Sequence, residues 1–128
     1  MKAMAIWGLT IWALATVALR LGGQYVFRAT GSVAMLWLLL VSLPLMIWVA
    51  LRLLPRDPSA EQRAAAAIAL VAPGMLLDTI SSIWFPWVFP NIRADAAGAF
   101  GGWLLFCNVV VLLTAILMRP SRAVSTSV

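Results

Sequence analysis

AAAAIALVAPGMLLDTISSIWFPWVFPNI, residues 64–92, carries a single charge, Asp78, at its middle. Every other residue in it is apolar, small or uncharged. Crossing the hydrocarbon core of a bilayer takes about 20 predominantly apolar residues, range about 17–25, and this stretch is long enough. Uncharged runs at 3–19, 33–51 and 96–118 repeat the pattern. The first of them continues past Arg20 through Leu21-Gly22-Gly23-Gln24-Tyr25-Val26-Phe27, because glycine is tolerated in membrane helices and the segment stays mostly apolar. The expected fold is an all-α membrane protein with four transmembrane helices at 3–28, 33–54, 64–89 and 96–118, in an up-down antiparallel bundle, followed by a short polar tail at 119–128.

Composition agrees with that reading. The chain has 128 residues, 64% of them hydrophobic and only 10% charged, with a mean hydropathy of +1.03. Soluble domains carry about 25% charged residues, so this chain lacks the charge to coat a water-facing surface. With no histidine and one cysteine, histidine-ligated haem or zinc and Ser-His or Cys-His nucleophile pairs are excluded. Cys107 cannot form an internal disulfide, and in mid-helix without a CxxC partner it reads as a small core residue.

The net charge of +5 is scattered between apolar runs rather than clustered as nucleic-acid binding requires. With the N-terminus inside, Lys2, Arg52, Arg56, Arg63, Arg119 and Arg122 face the cytoplasm against Arg20, Arg28 and Arg93 outside. This bias predicts an N-in/C-in orientation. The first apolar run is longer than the about 7–15 residues of a signal-peptide core and carries Trp7 and Trp12, so it is expected to be a retained span. The link at 55–61 is a short turn in which Ser59 or Asp57 can cap the third helix.

Pro44 and Pro73 each remove a helical donor and are expected to kink the second and third helices. Gly98 and Gly102, with Gly101 beside them, form a small-xxx-small pattern suited to close helix packing, within the chain or between copies. Trp84, Phe85, Trp87 and Phe89, punctuated by two prolines, read as interfacial anchors.

Polar residues fall at one depth. At a rise of about 1.5 Å per residue, Asp78 lies about 16 Å below Phe89, Asn108 about 16 Å below Ala97, and Arg20 about 12 Å below Arg28. Thr16, Arg20 and Gln24 share a stripe, as do Gly74, Asp78 and Ser82. An ionisable group inside a span is costly, and is usually paired and interior-facing. The expected intramembrane cluster is therefore Arg20, Gln24, Asp78, Ser82 and Asn108, built on an Arg20–Asp78 ion pair.

One intramembrane carboxylate without a second acid, lysine or histidine beside it is a poor basis for acid–base catalysis. No phosphate loop or metal-ligand spacing occurs. The chain is expected to be no enzyme and to need no cofactor or metal.

In size and number of spans the chain resembles the small multidrug resistance transporters, but their first-helix glutamate has no counterpart here, where Thr10 and Thr16 precede Arg20. Gly22-Gly23 beside an arginine is similar to the small dual-topology fluoride channels, whose later phenylalanine, threonine and asparagine pattern is missing. The nearer resemblance is to small bacterial four-helix membrane proteins catalogued as a domain of unknown function. It is carried by Arg20-Leu21-Gly22-Gly23-Gln24, Pro73-Gly74-Met75-Leu76-Leu77-Asp78, Phe89-Pro90-Asn91 and Gly101-Gly102-Trp103-Leu104-Leu105. That resemblance implies a multi-pass protein of the bacterial plasma membrane and no particular activity. The expected role is accessory: partnership with the lipid bilayer and with other membrane subunits or a second copy, and none with nucleic acid. The alternative is a small oligomeric transporter or channel using Asp78 as a proton or cation site.

Overall fold

A computed structural model describes residues 2–27, 32–56 and 59–118. It is all-helical: α1 (Lys2–Val26), α2 (Ser32–Leu53), α3 (Ala60–Ile83), the single turn α4 (Phe85–Val88), a 3-10 turn (Ala94–Ala96) and α5 (Ala97–Leu117). The four long helices have 25, 22, 24 and 21 residues. At about 1.5 Å per residue each reaches about 30 Å or more, the thickness of a hydrocarbon core. All four are apolar enough to cross a membrane. Helix is what such sequences must form in lipid, where each backbone donor and acceptor has to be satisfied within its own segment. The polar tail expected at 119–128 lies outside the described residues.

Chain breaks follow local chemistry. Ser59 sits in extended backbone and its hydroxyl accepts from the N–H of Gln62 at 3.4 Å, capping α3 as expected. The third span does not continue as one helix to residue 89. It ends at Ile83, and Trp84 (φ −103°, ψ 35°) turns the chain into α4. Pro86 explains the break: it cannot donate to the carbonyl of Ser82, and its ring clashes with that carbonyl in a continuous helix, whereas the first turn of a new helix accepts it. α2 and α3 continue through Pro44 and Pro73 without interruption.

The heaviest packing joins α1 to α3, α2 to α5, and α3 to α5. Gly8 lies against Leu70, Trp12 against Gly74, and Asn91 reaches Leu19, so α1 and α3 run parallel. α3 and α5 run antiparallel, since Arg63 meets Ala115 and Met118. Two apolar clusters fill the ends. The end holding Lys2 and Met118 is built of small residues, Ala50, Ala66, Ala67 and Ala115, with Leu54, Leu70, Val71 and Val111. The opposite end is aromatic: the Phe100 ring lies 4.8, 5.2 and 5.5 Å from those of Phe89, Phe85 and Phe27.

This aromatic end corrects the reading of residues 84–89. Trp84 and Trp87 are exposed, as anchors should be, but Phe85 and Phe89 are each only 2% exposed. Four residues apart across α4 and its cap, they share one face and turn it into the bundle.

The glycine that brings two helices together is also elsewhere than expected. Among the described residues, a Cβ at Gly98, Gly101 or Gly102 would meet nothing within 4 Å, so these glycines do not mediate packing between the described helices. Gly8 does. A Cβ there would stand 1.9 Å from the carbonyl oxygen of Leu70, which means that α1 rests directly on the α3 backbone.

Candidate functional site

Between the small-residue end and the aromatic end lies a polar layer. Gly74 opens it: without a side chain there, the Trp12 ring lies against α3, 3.6 Å from where a Cβ would be. One turn further along α3, the Trp12 indole Nε1 donates to Asp78 Oδ1 at 2.8 Å. From α5, the Asn108 side chain lies against the same carboxylate, while its amide also donates to the carbonyl of Leu104 at 3.0 Å. A second indole bridges the other parallel helix pair. Trp103 Nε1 donates to the buried Ser42 hydroxyl at 2.7 Å, and the buried thiol of Cys107 lies beside that hydroxyl. Each parallel pair is thus held at mid-depth by one tryptophan hydrogen bond.

Two hollows meet at this layer. A smaller, partly open hollow of about 150 Å³ between the helices is walled by Trp12, Thr16, Met46, Trp103 and Cys107 among others. A groove of about 700 Å³ between α3 and α5 opens sideways, where lipid would stand. Asp78, Leu104 and Asn108 line both, forming the partition between them.

Asp78 and Asn108 come together as the sequence suggested; the other expected members do not join them. Arg20 is exposed, and the ion pair among the described residues is Arg93–Asp95, on the surface at the aromatic end, rather than Arg20–Asp78. Helix geometry gives the reason. Residues on an i, i+4, i+8 stripe drift by about 40° per step. The inward face of α1 runs through Gly8 and Trp12, which meet α3, and Leu19 and Gly23, which meet Asn91 and Ile92, and Arg20 stands about 80° round from Trp12. Gln24 pairs instead with Asn91, whose Nδ2 donates to its Oε1 at 2.6 Å and to the carbonyl of Leu19 at 2.9 Å. Ser82 is exposed and lines the groove near its mouth.

Trp12, Trp103 and Ser42 were not among the expected site residues. The usable signal is depth: Trp12 lies nearly three turns and Trp103 nearly two turns inside its helix, away from the headgroup zone where the ring normally sits, so their N–H groups need internal partners. Trp12→Phe keeps the ring and removes the donor. It is expected to lower stability in detergent by about 1.5–3 kcal/mol, the range for hydrogen bonds to a charged group, measured by thermal unfolding. A loss below 0.5 kcal/mol, the ordinary scatter of neutral substitutions, would show that the bond holds nothing.

Four apolar helices with a polar mid-layer define a small multi-pass membrane protein. The chain belongs to the family of unknown function DUF5367, which it matches over residues 26–122. That span includes Asp78, Ser42, Trp103 and Asn108; Trp12 precedes it. No curated protein and no solved structure matches the chain.

Proposed function

We propose that this protein works by non-covalent association in the bacterial plasma membrane, as an accessory chain bound to another membrane subunit or to a second copy of itself, and catalyses no reaction. The observation that carries this reading is that no other described residue stands against Gly98 or Gly102. One turn apart and exposed on α5, they let the backbone of an incoming helix approach as closely as small-xxx-small packing requires. The N-in/C-in orientation inferred from the charge bias places these glycines in the outer half of the bilayer.

Purification in mild detergent followed by native mass spectrometry tests the reading. The wild-type chain is expected to hold a stoichiometric second copy or a defined foreign subunit, and the Gly98→Ile/Gly102→Ile double variant to release it while remaining folded. A wild-type chain that is monomeric and alone overturns the proposal.

A second reading, a small oligomeric transporter or channel with Asp78 as its proton or cation site, is favoured by one observation. Asp78 lines both the smaller hollow and the lateral groove, so a group bound there has a route in from lipid and space behind it.

A further inference from the structure

We infer that the groove between α3 and α5 binds a lipophilic organic ammonium ion, its charge against Asp78 and its apolar body along the groove, entering sideways from the bilayer. The inference rests on the second reading only for its site, and binding does not require transport.

Size is the first support. Small-molecule sites run to about 300–1,000 Å³, and the groove, at about 700 Å³, falls within that range. Its walls are aliphatic, with Met75, Leu76, Ile83 and Leu105 beside the carboxylate, and this suits an apolar body. The route is the second. The groove opens through the side of the bundle between two membrane-spanning helices, so a ligand reaches it by first dissolving in the bilayer.

Charge decides the class. Among the described residues no lysine or arginine forms an ion pair with Asp78, and its hydrogen-bond donor Trp12 and its neighbour Asn108 are neutral. An acyl chain lying in the groove would satisfy the aliphatic wall but leave the carboxylate facing hydrocarbon, the arrangement that makes buried acids rare in membranes. An anion would meet a carboxylate without a countercharge. A neutral alcohol supplies one donor, whereas an ammonium supplies the countercharge and several donors in charge-assisted bonds. Trp12 adds to this: its N–H already holds Oδ1 at 2.8 Å, fixing the carboxylate at the partition between groove and hollow.

The test uses the full chain in phosphatidylcholine nanodiscs, titrated calorimetrically with decylammonium, with decanol as the neutral counterpart and empty nanodiscs as the partition blank. Wild type is expected to bind decylammonium saturably above the blank and decanol no better than the blank. Asp78→Asn should weaken binding about tenfold or more, the loss of one charge-assisted contact, with Asp78→Glu keeping part of it. Leu105→Trp places a large ring in the groove while leaving Asp78 intact, and is expected to weaken binding similarly; it decides the matter should Asp78→Asn fail to fold. Uptake equal to the blank, equal binding of decanol, or undiminished binding in folded Asp78→Asn overturns the inference. Proton or cation flux without decylammonium binding would leave the second reading standing and remove this ligand class.

Discussion

Gly8→Val is expected to break the pairing of α1 with α3. Even alanine would place its Cβ 1.9 Å from the Leu70 carbonyl oxygen, where ordinary contacts begin at about 3.4 Å. The obstacle is backbone rather than the flexible end of a side chain, so no rotamer change relieves it and the whole helix must move outward. Overpacking typically costs about 1–3 kcal/mol, and a rigid backbone neighbour places Gly8→Ala near the top of that range and Gly8→Val beyond it. The displacement has a second consequence: Trp12, one turn along the same face, is carried away from Gly74 and Asp78, so the 2.8 Å indole bond is lost as well. Thermal unfolding in detergent and the near-ultraviolet tryptophan dichroism should both report this. Gly98→Ala and Gly102→Ala, with no other described residue against them, should leave both signals unchanged. A Gly8→Ala variant as stable as wild type would show that α1 and α3 are not in backbone contact.

The contrast between Gly8 and the α5 glycines marks where sequence reading stops. A small-xxx-small spacing identifies a helix surface that a neighbour can approach; it does not say whether the neighbour is in the same chain. Gly98 and Gly102 carry the pattern and meet no other helix among the described residues, whereas Gly8, alone in its stretch, carries the contact. Spans were legible because lipid penalises every unpaired backbone group and every charge, which leaves length and apolarity as sufficient evidence. Within a span, which face looks inward depends on a rotation of a few tens of degrees, and hydropathy is silent on it when all faces are apolar. The stripe that turns Arg20 inward drifts, and Asp78, for which the spacing predicts Arg20 as partner, is met instead by the indole of Trp12. The aromatic run failed for a related reason. Phe85 and Phe89 have no polar atom to draw them to the headgroups, unlike the indoles of Trp84 and Trp87, and that difference was present in the sequence.

Arg63 carries the other large effect, and the count of loop charges does not reveal it. Its charge counts toward the positive bias of one membrane face, and nothing in that count requires it to be buried. Yet it is 3% exposed. In the first turn of α3 its own helix dipole opposes it, so its position must be set by a partner elsewhere. Among the described residues that partner is the end of α5, where the last carbonyls of a helix lack intrahelical donors. Arg63 Nη2 donates to the carbonyl of Met118 at 3.0 Å and Nε to that of Ala115 at 3.4 Å, placing a cation at the negative end of the α5 dipole. Arg63→Met keeps most of the volume and removes the donors, leaving buried acceptors that cost about 1–3 kcal/mol each. Arg63→Lys should recover part of the loss, because an ammonium retains the charge but not the two-pronged geometry. Thermal unfolding in detergent should order the three as wild type, Lys, Met. Hydrogen exchange at residues 114–118 should quicken in the methionine variant while the aromatic end around Phe100 stays protected. Equal stability of Arg63→Met and wild type would mean that water satisfies the α5 carbonyls and that the arginine serves topology alone.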